Sequence, residues 1–348
     1  MKTQSLTLVL TLALCLPFTG CKKAGDNQAG SAGNSADKPI KSEEPVNLQP
    51  KWSPGKRYVQ RMEVLQDTET TMPQAAKPVR QQTMVGQDYA ISVLGERPGG
   101  GYELELEFLS IDMDVSANGK QMMSFDSKGE SLDDGVNPTA AMLRSLVGSK
   151  FKFLLNASNQ VEKIEGVKEM MSRISTKSTA QARGMIQAML TEEYFKQMVD
   201  HSKYLPPKPV KPGDTWRTQP ELTLGPLGSL IMDLNYTFKT WEMHEKRKCA
   251  LLEFSGTIKS KEKQASAKGM NITIENGKCS GKNWFDPELG TIVDSAINQN
   301  MTLRVPAPAR ARTSTNNPAA SPQTMAVLMN QKVNLKLVEM GEGTGSSQ

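Results

Sequence analysis

Apolar and polar residues alternate along two long parts of the chain, and apolar residues recur with a helical period between these parts. In the clearest run, Leu104, Leu106 and Phe108 alternate with glutamates, which predicts a strand with one buried face. Similar runs in the first part predict strands over residues 56–69, 84–94, 102–115, 121–125, 151–155 and 161–164. Those in the second part predict strands over residues 230–241, 249–258, 270–275, 281–285, 291–305 and 325–338.

Turn and helix signals separate these strands. Glycine-containing sequences at residues 97–101, at Asn118-Gly119 and at Asn276-Gly277 predict tight hairpin turns. A helix is predicted over residues 138–146, and the apolar spacing over residues 167–199 predicts two helices or one broken helix.

The N-terminus has the features of a secretory signal, because a lysine at position 2 precedes an apolar run over residues 6–18. The sequence Thr19-Gly20-Cys21 that follows resembles the lipobox of bacterial lipoproteins, although an ordinary cleaved signal peptide is the alternative. The resemblance implies a lipid anchor at Cys21. Because Lys22 follows the cysteine, it also implies sorting to the outer membrane of the bacterial envelope. The expected side of that membrane is the periplasmic face, and the cell surface is the alternative.

These patterns predict a β-rich α+β fold of two antiparallel sheet blocks with helices between them. Each block opens with Pro-Gly, two residues and an aromatic residue (Tyr58 or Trp216), which indicates that the blocks are related. The predicted organisation is a signal peptide (1–20), a lipidated cysteine with a disordered tether (21–50), a first β block (51–165), a helical segment (166–205), a second β block (206–340) and a disordered tail (341–348). A Pro/Ala/Ser-rich loop over 306–322 is either disordered or functional.

Composition narrows the functional classes of this 348-residue chain. The net charge of +5 is small and spread out, so no nucleic-acid partner is expected. The two histidines, His201 and His244, have no neighbours at metal-ligand spacing and are expected at the surface. Motifs for a nucleophile, a phosphate loop or a dinucleotide are absent, so the sequence predicts a protein without enzymatic activity, cofactor or metal.

Two sets of sulfur-containing residues are candidate sites. Cys249 and Cys279 are predicted on neighbouring strands, and in an oxidising compartment they are expected to form a disulfide, the alternative being two independent thiols. Met170, Met171, Met185 and Met189 recur at helical spacing, and they either belong to an ordinary core or line a cavity for an apolar ligand.

Short motifs over roughly residues 52–305 resemble those of an uncharacterised family of bacterial lipoproteins. The motifs are Leu146-Val147-Gly148 with Glu165-Gly166, then Pro209, Val210, Gly213, Asp214 and Trp216, and finally Asn283, Phe285, Asp286, Gly290 and Ile292. That family implies a fold but no activity. At the level of the fold, strands wrapped around a helix below a lipid anchor also resemble the half-barrel lipoprotein carriers of the envelope.

The leading functional prediction is a non-enzymatic envelope protein, attached to the membrane by its N-terminal lipid, that binds an apolar or lipid-like ligand between sheet and helix. The alternative is a structural or protein-interaction module of the envelope with another envelope protein as its partner.

Overall fold

The computed structural model describes residues 38–72, 77–129, 137–176, 191–223, 228–261, 273–306 and 324–343. The signal peptide, Cys21, residues 22–37 and most of the 306–322 loop lie outside these ranges. The strands are β1 Lys38–Ile40, β2 Lys56–Thr71, β3 Val79–Glu96, β4 Tyr102–Ala117, β5 Lys120–Asp126, β6 Lys150–Leu155, β7 Val161–Glu165, β8 Thr215–Thr218, β9 Glu221–Thr223, β10 Ser229–His244, β11 Arg247–Ser260, β12 Thr273–Asp286, β13 Thr291–Pro306 and β14 Thr324–Glu342. The helices are α1 Pro138–Leu146, α2 Val167–Thr176 and α3 Glu192–Val199, with a 3₁₀ turn at His201–Tyr204.

All fourteen strands of the described part form one antiparallel sheet, which confirms the predicted β-rich α+β class. The order across the sheet is β1-β10-β11-β12-β13-β14-β2-β3-β4-β6-β7, while β5 pairs with β4, and β8 and β9 pair with β10. The two predicted strand blocks are therefore two halves of a single sheet. They are joined where the last strand, β14, pairs with the first long strand, β2.

The sheet curves around its own core. Residues of β14 alternate between buried positions such as Val327 and Val333 and exposed positions such as Leu328. Many buried residues of both halves belong to one apolar cluster, which also includes residues from all three helices. A second, smaller cluster includes Phe238, Trp241, Leu252 and Phe285. We call the face of the sheet that carries these buried residues the inner face. The opposite face is the outer face.

Helix α1 begins and ends where the sequence predicts. The side-chain oxygen of Asn137 accepts hydrogen bonds from the backbone nitrogens of Thr139 (3.0 Å) and Ala140 (3.3 Å), and Pro138 occupies the first turn, where its missing N–H has no effect. Ala140, Leu143 and Leu146 then lie on one buried face of the helix, packed into the core.

Helix α3 lies between the two ends of the curved sheet. The ring of Phe195 contacts that of Phe151 on β6, with centroids 5.1 Å apart. On its other side, the Oε1 atom of Gln197 accepts a hydrogen bond of 2.8 Å from the backbone nitrogen of Thr223 on β9. Because β6 and β9 belong to opposite ends of the sheet, α3 closes the gap between them.

Residues 44–52, here called the strap, cross one end of the sheet. Val46 pairs with Val210, the backbone nitrogen of Lys51 donates to Gly290 O (3.1 Å), and Asn159 donates from Nδ2 to Pro50 O (3.1 Å). Leu48 is completely buried. This corrects the C-terminal part of the predicted tether, because residues 38–40 form β1 and residues 44–50 belong to the strap. Similarly, β14 continues into the predicted C-terminal tail.

The Asn276-Gly277 sequence is not a hairpin turn, which corrects the prediction. Both residues lie within β12, beside a register shift against β13. A Cβ atom at position 277 would lie 2.4 Å from the carbonyl oxygen of Ile258 on β11. Glycine is present at this position because the neighbouring backbone comes too close for a side chain.

The predicted disulfide is also wrong, because Cys249 and Cys279 are both buried and no disulfide joins them. Although they lie on the adjacent strands β11 and β12, the register places Gly256 opposite Cys279 and Phe285 opposite Ala250. An offset of about seven residues separates the two cysteines by about 20 Å along the strands. A disulfide requires Cα atoms within about 7 Å.

The contact at Gly277 yields a stability prediction. Gly277→Ala should destabilise the protein by about 2 kcal/mol or more, because the added methyl group collides with a backbone carbonyl rather than a movable side chain. Gly95→Ala is the matched control, since position 95 is also within a strand and has open space around a built Cβ. The free energies of unfolding come from urea titrations. Equal stabilities for the two variants would contradict the close approach of β11 and β12.

Candidate functional site

Methionines are concentrated on the inner face of the sheet. Met301 on β13 lies directly opposite Met329 on β14 in the strand register, and both are almost completely buried. The other buried strand methionines in the same core are Met62, Met113, Met232 and Met325. Methionine side chains are flexible and polarizable, so a surface lined by them adapts to irregular apolar ligands.

The predicted methionine set agrees with this location only in part. Met170 and Met171 on α2 are buried in the same core cluster as the strand methionines. Met185 and Met189 lie outside the described residues. Sequence reasoning assigned the candidate methionines to helices and missed the buried methionines on the inner face of the strands. The available signal was the alternation of Met325, Val327 and Met329 within a single run.

Three glutamines cross the inner face side by side. In the strand register Gln299 on β13 lies opposite Gln331 on β14, which lies opposite Gln66 on β2. We call these residues the glutamine row. Each is at most 2% exposed. The Nε2 atom of Gln331 donates a hydrogen bond of 3.4 Å to the Oε1 atom of Gln66. Cys279 extends the row on β12, and Thr83 extends it on β3.

Two atoms of the row, the Nε2 donor of Gln299 and the Oε1 acceptor of Gln331, are buried and make no hydrogen bond within the described residues. The donor is the one considered first. Leaving a buried donor unsatisfied costs about 1–3 kcal/mol, so native cores rarely contain one. Such a donor marks a place where an acceptor atom of a ligand or an ordered water would be stabilised. Sequence reasoning missed this site, although glutamines at alternating, core-facing strand positions were visible in the sequence.

The polar side chains buried on the inner face carry no charge. The buried polar residues that follow the inner alternation of the described strands are all neutral: Gln60, Gln66, Thr68, Thr83, Asn283, Ser295, Gln299 and Gln331. Burial raises the pKa of the Cys279 thiol to about 12 and also raises the pKa of the Tyr236 hydroxyl. Both groups therefore stay protonated at neutral pH.

Charged groups cluster on the outer face instead. The guanidinium of Arg61 lies 3.1 Å from Asp88 Oδ1 and 3.0 Å from Asp112 Oδ1. Burial favours the neutral form of Asp88, but hydrogen bonds from Ser110, Arg61 and Lys128 outweigh it and lower the pKa of that carboxyl. Gly86 makes room for this group, since a Cβ there would lie 2.3 Å from Asp112 Oδ2. The charges of Arg61, Asp88 and Asp112 are therefore paired with one another within the sheet.

A small cavity lies between the strap and the inner face. Its volume is about 40 Å³, and Trp52, Tyr58, Gln60, Leu205 and Leu335 are among the residues that line it. The Nε1 atom of Trp52 is buried without a hydrogen-bond partner in the described part of the chain. The volume is far below that of a site for a small molecule, about 300–1,000 Å³, but it is enough for a water molecule.

His244 is not at the surface, which corrects the prediction for this residue. It is buried and stacks on the Trp284 ring at 4.4 Å, with Nε2 2.9 Å from Asp294 Oδ2. The side chain of His201 lies outside the described part.

The described residues contain no group of three or more His, Cys, Asp or Glu side chains suited to hold a metal ion. They also contain no helix that is long and apolar enough to cross a membrane.

The sequence profile of a family of unknown function, DUF6263, matches residues 99–292. No curated protein matches the chain. Among solved structures, the chain is similar to one of lipid–protein interactions in lipovitellin, with 12% identity over 86% of this chain and a TM-score of 0.44. The match covers 26% of the lipovitellin chain, so this chain spans about a quarter of that length.

Two further solved structures show weaker similarity. DynF from the dynemicin biosynthesis pathway of Micromonospora chersina matches at 6% identity, over 92% of this chain and 96% of that one, with a TM-score of 0.20. A DUF1329 family protein from Desulfovibrio piger matches at 9% identity, over 82% and 87% of the two chains, with a TM-score of 0.13. At these TM-scores the similarities say nothing about ligands or activity.

Proposed function

We propose that this chain, which belongs to the DUF6263 family of unknown function, is a non-enzymatic, lipid-anchored protein of the bacterial envelope that binds an apolar or lipid-like ligand. The ligand site is the inner face of the sheet around the glutamine row. The observation that carries the proposal is the buried Nε2 atom of Gln299, which has no hydrogen-bond partner in the described structure and lies on a strand between the apolar residues Ile297 and Met301.

The composition of the inner face supports binding of a long apolar molecule. Met301 and Met329 face each other next to the glutamine row, and Ile297 and Val333 continue the apolar surface on the other side of it. Ligand sites are predominantly apolar, with a few polar groups that fix orientation. An apolar surface interrupted by one row of neutral polar groups has this composition.

The chemistry of the interior supports binding rather than catalysis. A cysteine acts as a nucleophile through its thiolate, and burial keeps the Cys279 thiol protonated. The imidazole of His244 contacts Asp294 and Trp284 next to the β10–β11 turn, away from the glutamine row. In the proposed role these groups hold the sheet together and take no part in a reaction.

Ligand entry requires α3 to move. Since α3 closes the gap between the two ends of the sheet, its contacts with Phe151 and Thr223 must break to expose the inner face. Tyr194, Phe195 and Val199 of α3 are buried in the same core cluster, so this movement would also expose apolar side chains. The cavity under the strap, about 40 Å³, is too small to hold an acyl chain.

The N-terminal lipid would hold this domain at the outer membrane, on its periplasmic face. Cys21 is the proposed attachment site, and residues 22–37 separate it from β1. A single acyl chain anchors a protein only marginally, whereas the two or three chains of a lipoprotein anchor it stably.

Anchoring is tested with Cys21→Ser. This variant should lose lipidation and the processing that depends on it, because a serine cannot form the thioether to diacylglycerol. Membrane fractions washed with high salt are probed for the processed form, and a Cys249→Ser variant serves as the control that keeps its anchor. Processed Cys21→Ser protein that stays in the washed membranes would refute the lipid anchor.

Ligand binding is tested with Met329→Trp. If the inner face accepts a ligand, the indole ring should occupy that space, so binding of the neutral fluorescent probe N-phenylnaphthylamine is lost while the melting temperature stays close to that of the parent. Leu328→Trp is the matched control, because Leu328 is next to Met329 in the chain but its side chain is exposed on the outer face. This variant should retain both properties.

The same experiment can overturn the proposal. A core that is simply filled loses about 1–3 kcal/mol when a larger ring is inserted. A sharply lowered melting temperature for Met329→Trp, together with no probe binding by the parent protein, would make the inner face an ordinary core. The alternative role as a structural or protein-interaction module of the envelope would then remain.

A further inference from the structure

The surroundings of Gln299 restrict what can bind to it. On its own strand the neighbouring inner-face residues are Ile297 and Met301, which are 1% and 3% exposed. Across the strands it lies between Cys279 and Gln331. The polar end of a bound molecule at this position would therefore have apolar surface on both sides along β13. A molecule that matches has a polar group attached to long apolar chains.

The unsatisfied atom is a donor, which determines the type of polar group. An amide Nε2 carries hydrogens and cannot accept a hydrogen bond, so its partner must be an acceptor such as a carbonyl oxygen. Gln331, opposite Gln299, directs its Nε2 toward Gln66, and its acceptor atom Oε1 makes no hydrogen bond to Gln299 Nε2 in this structure. The thiol of Cys279 is protonated and is at best a weak acceptor. A ligand oxygen would be a much better partner.

Charge restricts the ligand further. The buried polar residues of the inner face in the described part are neutral, whereas the guanidinium of Arg61 is paired on the outer face. A carboxylate or phosphate placed beside Gln299 would lose its hydration without gaining a cation, which is strongly unfavourable. An uncharged acceptor avoids this cost.

We infer that the ligand contains an uncharged carbonyl group attached to acyl chains, as in an acyl ester or acyl amide, and that Gln299 donates a hydrogen bond from Nε2 to that carbonyl oxygen. This inference rests on the proposed function, since it assigns the ligand class of the same site. It also explains why a glutamine, rather than a cation, occupies the middle of an apolar surface.

A competition experiment tests the inference on the full-length protein in an amphipathic polymer. Bound N-phenylnaphthylamine is displaced with methyl laurate, N-methyl lauramide, laurate or dodecane, which share their chain length and differ in the polar group. The parent should bind the ester and the amide more tightly than laurate or dodecane. Gln299→Met removes the donor at nearly constant volume and should reduce the preference for the ester over dodecane by about five- to tenfold.

The matched control is Asn300→Leu, which also replaces an amide by an apolar side chain but lies exposed on the outer face of the same strand. It should leave every preference unchanged. An independent measurement uses the parent protein alone. The infrared carbonyl band of methyl laurate should shift to lower frequency when the ester binds, because its carbonyl oxygen accepts a hydrogen bond.

The outcomes separate the two proposals. If dodecane displaces the probe as well as the ester does, or if laurate binds as tightly as the ester, the inferred ligand class is wrong while binding at the inner face stands. An unchanged ester preference in Gln299→Met also overturns the assigned hydrogen bond. If none of the four compounds displaces the probe from the parent and the probe itself does not bind, the proposed function fails, and the ligand class fails with it.

Discussion

The pairing of β14 with β2 is the interaction on which the rest of the structure depends. This pairing, here called the seam, joins a strand near the C-terminal end of the chain to the first long strand. Without it the two series of hairpins would form two separate sheets. Gln331 and Gln66 face each other across this seam, so it also assembles the glutamine row. Because side chains alternate between faces, a register slip of one residue would move one of these glutamines to the outer face and would break the row.

The sheet separates its polar groups by charge. On the outer face, Arg61 is held by Asp88 and Asp112, and Gly86 leaves the space that this ion pair needs. On the inner face the polar groups are neutral amides and hydroxyls, and the Gln299 donor has no partner in the described part. The outer cluster is satisfied by its own contacts, whereas the inner row is not. The proposed ligand would supply the acceptor that the Gln299 donor lacks within the described residues.

Local patterns predicted the elements but not their long-range arrangement. Alternation over residues 102–115 predicted β4, and the N-cap at Asn137 explains why α1 could be placed to the residue. The Asn276-Gly277 sequence misled because the same glycine signal arises from a close approach of Ile258, which depends on a distant strand. The strap has no periodicity, so the burial of Leu48 could not be read from sequence.

At the site, the sequence identified the helix methionines Met170 and Met171. The glutamine row depends on the register between distant strands, and local sequence patterns do not contain that register.

Binding of a lipid-like molecule at the inner face is tested most directly by native mass spectrometry of the protein, extracted gently from its own membrane. Binding there predicts a population whose mass exceeds that of the lipidated chain by one uncharged, acyl-containing molecule, which is released on collisional activation and is absent from Met329→Trp. If the parent protein shows only the mass of the lipidated chain in every mild detergent, or if parent and Met329→Trp carry the same bound molecule, binding at the inner face is contradicted.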